Sequence, residues 1–233
     1  MTGSSGTYNF SPSNGEIVLA AYERLQIRTP SIRQEHMLSA RRECNFLFAQ
    51  WSNSVGPDLW EVIRTQTTLT QGTATYTLPT KTITVLDSSI VLNFGTSSES
   101  RRFITPISRT EYMTYANQQT QGQPTVWWFD RLISPTVTFW PVPDGNGPYT
   151  WDFYSVTQQQ DVNLPGGETP DIPYRWLDAM VAGLSHRLSR IYAPQLEQMR
   201  KADAMEAYDI AAKQDTEVAP FKISPLLSNY FRI

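Results

Sequence analysis

The sequence predicts an α+β protein: a helical bundle built from N- and C-terminal helix pairs, with an inserted β-rich domain and an extended C-terminal tail. Three observations lead there. Apolar residues recur at helical spacing in two segments near each end, the middle alternates with a period of two and is rich in Thr, Val and aromatic residues, and the last segment is apolar but interrupted by prolines. The boundaries fall at 1–13 for a flexible N-terminal segment, 14–58 plus 172–217 for the helical domain, 59–171 for the β-rich domain, and 218–233 for the tail.

The first helix follows Asn14, an acceptable N-cap, and "GEIVLAAYERLQIR" aligns Ile17, Ala21 and Leu25 on one stripe before Thr29-Pro30 ends it. In the second, Met37, Ala40, Cys44, Leu47 and Trp51 stand at spacings of 3, 4, 3 and 4, a seam for another helix. After "VGPDL" the period becomes two. "LWEVIRTQTTLTQGTATYTLP" and "KTITVLDSSIVLNF" read as strands, with Gln71-Gly72 as a turn signal, and "RRFITPIS" resumes the sheet after a polar loop. Arg101 and Arg102 are expected to flank a strand in solvent. Ser108 with Glu111 announces a short helix. "GQPTVWWF", "DRLISPTVTFWPVP" and "YTWDFYSV" give three more strands, and "TFWPVPDGNGPYTWDFY" reads as two of them with a turn between.

"VNLPGGETPDIP" is a connector back to helix, with Pro173 suited to a first turn. Leu177, Met180, Val181, Leu184, Leu188 and Ile191 then form an apolar stripe that needs a partner. Ala193-Pro194 separates it from an acidic helix whose alanines permit a close neighbour, and whose Glu197/Lys201 and Asp209/Lys213 sit four apart. The tail carries Phe221, Ile223, Leu226, Leu227, Tyr230, Phe231 and Ile233, while Pro220 and Pro225 prevent a helix long enough to bury them on itself. Such a segment folds back over its own core or docks on another protein.

Composition narrows the function. Of 233 residues, 22 are acidic and 19 basic, a net charge of −3, which is the wrong sign for gripping nucleic acid by phosphate neutralisation. The segment 195–217 alone has six acids against three bases and so equals the whole net charge. One cysteine excludes an internal disulfide framework. The N-terminus lacks the pattern of a signal peptide and no stretch approaches a membrane span, so a soluble protein with no membrane partner is expected.

Catalytic patterns do not emerge: there is no phosphate loop after a strand, no His or Cys cluster at metal spacing and no serine elbow. We therefore expect no enzyme, no metal and no cofactor. Cys44 lies within a helical seam and reads as packing, and His36 and His186 read as ordinary helical residues. Asp130 or Asp152 beside tryptophans could imitate a glycosidase only if their separation fitted, which sequence does not give. Trp127, Trp128, Trp140 and Trp151 raise a rival, a carbohydrate platform. Strand alternation puts Trp127 and Trp128 on opposite faces, so core or subunit contact fits these residues better.

The order of "AAYERLQIR", "EHMLSARRECNFLFAQWSN", "TYTLP", "ISRTEYMTYANQQTQGQPTVWWFDRL", "FWPVP", "DIPYRWLDAMVAGLSHRLSRIYAP" and a tail ending "SPLLSNYFRI" resembles the tail accessory, or head-to-tail adaptor (head completion), proteins of short-tailed bacteriophages of podovirus type. The resemblance covers nearly the whole chain. It implies a virion structural protein, assembled in the host cytoplasm, whose copies, usually twelve, form a ring below the portal at the head-tail junction and lead the DNA through. It also implies that the tail, Phe221 through Ile233, docks on the portal protein, and that distal nozzle or fibre proteins attach below. The alternative, combining the Trp-rich strands with the same resemblance, is a glycan-binding or glycan-cleaving phage tail protein.

Overall fold

The first helix, α1 (Asn14–Arg24), is capped by Ser13 and not by Asn14. The computed structural model describes residues 6–53, 59–163 and 167–215, and the tail lies outside the described residues. The Ser13 hydroxyl accepts the Glu16 N–H at 3.3 Å, and the Glu16 carboxylate accepts the Ser13 N–H at 2.7 Å, a reciprocal capping box that the Ser-x-x-Glu spacing already encodes. Asn14 is the buried first helical residue, and its backbone N–H donates to the Glu168 carbonyl.

Five α-helices and several short sheets make up the described residues, a mixed α+β fold. In α2 (Gln34–Asn53) the seam is as expected, with Ala40, Cys44, Leu47 and Trp51 buried and Met37 packed at its edge. A turn of 3-10 helix, Tyr174–Trp176, with Pro173 at its N-cap position, just before the first turn, leads into α4 (Leu177–Tyr192). The intervening short helix is α3 (Arg109–Met113), where Ser108 accepts the Glu111 N–H at 3.1 Å. Last comes α5 (Glu197–Gln214).

α4 is the centre of the bundle and touches α1, α2 and α5. Trp176 lies on Trp51, Arg187 reaches Gln50, and Tyr192 reaches Ser39, so α4 runs antiparallel to α2. The short turn at Pro194–Leu196 sends α5 back along α4, with Arg190 on Glu197 at one end and Trp176 on Tyr208 toward the other. Consequently α2 and α5 are parallel. Being surrounded, α4 buries more than the expected stripe: Ala179, Ala182, Gly183, Ser185 and Ser189 join Met180, Leu184 and Leu188. Leu177 and Val181 are only partly buried, and Ile191 is 44 % exposed, because the helix ends one residue later and its side chain falls outside the ring of neighbours.

Gly183 shows how close α2 approaches. A Cβ there would lie 3.0 Å from both methyl carbons of Leu47. Gly183→Val is expected to destabilise the protein by about 1–3 kcal/mol through overpacking, despite the helical propensity gained on losing glycine. Chemical denaturation of the variant beside the parent measures it.

The strands are β1 (Val62–Leu69), β2 (Thr75–Thr77), β3 (Thr82–Leu92), β4 (Ser100–Phe103), β5 (Thr105–Pro106), β6 (Gln121–Gly122), β7 (Val126–Asp130), β8 (Thr136–Trp140), β9 (Val142–Pro143) and β10 (Tyr149–Thr157). One antiparallel sheet has the order β1-β10-β3-β4, a second has β2-β8-β7-β5, and β6 pairs with β9. Their inner faces close a core of Ile90, Trp127, Val137, Phe139, Trp151 and Phe153 among others. The two strands read in "TFWPVPDGNGPYTWDFY" do not pair with each other: β8 belongs to the second sheet and β10 to the first. Gln71-Gly72 likewise carries the chain from β1 in one sheet to β2 in the other, with Gly72 at φ 77°. The two crossing turns support each other, since the Gly72 N–H donates to the Pro143 carbonyl at 2.9 Å.

The helical core draws its buried residues from Ile17 to Trp51 and from Val162 to Ala211, while the sheet core draws only on Leu69 to Phe153. β1 and β10, paired from Val62↔Val156 to Leu69↔Tyr149, carry the chain in and out of the sheets side by side. At their base the Thr157 hydroxyl donates to the Glu61 carbonyl, and Trp60 packs on Trp176 with ring centres 4.8 Å apart. Val162 is pinned to α2, its N–H donating to Asn45 Oδ1 and its carbonyl accepting from Asn45 Nδ2.

Candidate assembly surfaces

Trp151 is fully buried on β10, stacked on Phe153 at 3.7 Å and edge-on to Phe139 of the facing sheet at 5.0 Å, and its indole N–H donates to Ser88 Oγ. Trp127 is also core, at 3 % exposure. On the other face of β7, Trp128 stacks on Tyr112 of α3. Trp140 stacks on Tyr115 with ring centres 4.1 Å apart, and its N–H donates to the Asn117 carbonyl. All four indoles thus pack inside this chain, two between the sheets and two beneath α3 and the loop after it.

Charged groups hold the opposite face of the first sheet. Asp152 points away from the aromatic core, yet its side chain is only 2 % exposed because two guanidinium groups cover it. Arg64 Nε donates to one carboxylate oxygen at 2.8 Å, and Arg101 Nη1 donates to the other at 2.5 Å. Arg101 is therefore not simply solvated as the sequence suggested, whereas Arg102 is exposed. Hydrogen bonds from the arginines hold the Asp152 carboxyl down at about 2, below its ordinary 3.8. A carboxyl ionised so firmly is unsuited to act as a general acid near neutrality.

The other titratable candidates are structural. Burial pushes the Cys44 thiol up to about 12, far from thiolate chemistry. The His36 ring stacks on Tyr192 at 4.7 Å and accepts the Arg33 N–H. Burial, and then the neighbouring Arg190, lowers the pKa of His186. Among the described residues no group of three His, Cys, Asp or Glu is placed to hold a metal ion, and no helix is long and apolar enough to cross a membrane.

Exposed apolar side chains stand on the finished helices, and Phe103, Leu132 and Ile133 stand exposed in the sheet region as well. Leu38 at 59 % and Phe46 at 53 % stand on the outer side of α2, and Met199, Met205 and Ile210 stand on α5. Between these helices, over α4, runs a groove of about 400 Å³ with Leu47, Trp51, Gly183 and Tyr208 in it and His186, Arg190, Lys201 and Asp209 around it. The sequence held a signal for the α2 residues: Leu38 and Phe46 are apolar but lie off the buried seam, among arginines. Arg64 with Asp152 had no such signal, since nothing in the sequence pairs residues from strands so far apart.

Large apolar side chains left outside complete cores are available for contact with other chains. A family model described as SU10 adaptor protein matches residues 38–223, well over half of the chain, and the protein belongs to that family. The match runs from within α2 through both sheets to beyond α5. No curated protein matches the chain.

Proposed function

We propose that this is a virion structural protein of a short-tailed bacteriophage, a head-to-tail adaptor whose copies form a ring below the portal, join the capsid vertex to the tail and let DNA pass. Membership of the SU10 adaptor family carries the reading. The exposed apolar faces of α2 and α5 support it, because a ring subunit must offer surface to two copies of itself. Its partners are other copies, the portal protein and distal nozzle or fibre proteins, at the head-tail junction of the virion after assembly in the host cytoplasm. It acts by assembly, without turnover and without a cofactor.

Within this reading, the tail from Phe221 to Ile233 is the portal-docking element; it lies outside the described residues. A net charge of −3 suits a channel that duplex must slide through, because a wall that neutralised phosphates would hold the genome. Either α5 or the sheets face that channel. The glycan reading is unsupported: Trp127 and Trp151 are interior, and Trp128 and Trp140 are each stacked on a tyrosine.

Mixing the protein with its portal and measuring light scattering tests the proposal. The full chain should form a larger complex, and a variant lacking residues 219–233 should lose it. Undiminished portal binding by the shortened chain would remove the tail from the mechanism.

A further inference from the structure

The outer stripes of α2 and α5 share one spacing. On α2, Glu35, Leu38, Arg42, Phe46 and Ala49 follow at steps of 3, 4, 4 and 3, diametrically opposite the buried seam, and all are exposed. On α5, Met199, Ala202, Glu206, Ile210 and Lys213 follow at the same steps, also exposed and opposite the buried Ala211 and Asp215. Each stripe has a charge at its middle with apolar side chains before and after it, and the central charges are opposite: Arg42 on α2, Glu206 on α5. Leu38 and Phe46 lie about 12 Å apart along their helix, and Ala202 and Ile210 lie the same distance apart along theirs, at 1.5 Å per residue.

We infer that the outer face of α2 in one copy packs against the outer face of α5 in the next, the helices parallel, with Leu38 between Met199 and Ala202, Arg42 on Glu206 and Phe46 on Ile210. This rests on the ring reading above, and the geometry of a ring selects the direction. From one copy to the next, a helix turns by no more than the rotation relating them, about 30° for twelve copies. Since α2 and α5 are parallel within a chain, they stay close to parallel across the junction, and the parallel register sets all three central pairs opposite one another at once. The two faces differ, so the contact is heterologous and continues around a ring instead of stopping at a dimer. Side-chain ridges at spacings of three and four suit helices packing 8–10 Å apart. The Glu206 side of α5 then meets the neighbour's arginine.

Disulfide trapping tests this directly, because the natural Cys44 is fully buried and the introduced thiols are the accessible ones. Phe46→Cys with Ile210→Cys, concentrated or mixed with the portal protein and mildly oxidised, should give a ladder of covalent oligomers, while either single variant should give none. Arg42→Glu in that background should abolish the ladder, and adding Glu206→Arg should restore it. If the parent protein assembles by light scattering but the double-cysteine variant gives no ladder, or gives one indifferent to charge reversal, the contact is wrong and the adaptor reading stands. If the parent assembles neither alone nor on the portal and no ladder forms, both fall together.

Discussion

Replacing Trp176 with alanine is expected to cost about 3–5 kcal/mol, one of the largest losses available to a single substitution in this chain. The indole is fully buried and sits where three segments meet: Trp51 of α2 at 5.2 Å, Tyr208 of α5 at 5.3 Å and Trp60, on the way into β1, at 4.8 Å between ring centres. Its N–H has no acceptor among the described residues, so packing carries its contribution. Trp176→Phe should accordingly keep much more of the stability than Trp176→Ala. Because Trp60 anchors the strand that leads into the sheets, the alanine variant should also loosen the join between helices and sheets. Equilibrium denaturation reads the loss, and hydrogen exchange at β1 and β10 reads the loosening. A cost below about 1 kcal/mol would mean that the aromatic cluster does not hold the two cores together.

Removing both cations from Asp152, as Arg64→Met with Arg101→Met, is expected to destabilise the fold by about 1–3 kcal/mol at neutral pH, because the ionised carboxylate loses both charge-assisted partners while the methionine side chains still shield it from water. Asp152→Asn should cost less, since the two arginines it releases are each nearly half exposed and can be hydrated. The pH dependence separates this pairing from mere packing. The folded-state carboxyl titrates at about 2, below its ordinary 3.8, so its contribution is complete above that ordinary value and is lost as pH falls from about 4 toward 2. The parent's thermal midpoint should fall through that window from this group, and Asp152→Asn should remove that part of the slope. The double arginine variant should behave in the opposite sense, regaining stability relative to the parent as its carboxyl protonates. Parallel profiles for all three proteins would show that the clamp is incidental.

Both examples bear on how much of the molecule its sequence reveals. The helix seams were readable because one-sided burial writes itself as a period: Ala40, Cys44, Leu47 and Trp51 are buried as their spacing requires. The buried face of α4 is wider than its apolar stripe, since a helix packed by three neighbours uses Ala, Gly and Ser as contact residues, and these carry little hydrophobic signal. In the sheets, alternation identified strands but not their partners. A turn such as Gln71-Gly72 looks the same whether it folds a strand back on itself or carries it to the facing sheet. The tryptophans were legible as buried contacts, while the tyrosines that stack on Trp128 and Trp140 arrive from α3 and the loop after it, whose path no local pattern gives. Asp152 next to Trp151 looked like displaced chemistry; only the register with β1, and through β3 with β4, shows that two arginines claim it.

The proposed function requires these surfaces to join copies of the chain beneath a portal. Electron microscopy of the protein mixed with its portal, viewed end-on, measures that most directly. A closed ring of rotational symmetry, coaxial with the portal and open along its axis, is the predicted image. Portal particles without added density, beside free single chains, would contradict it.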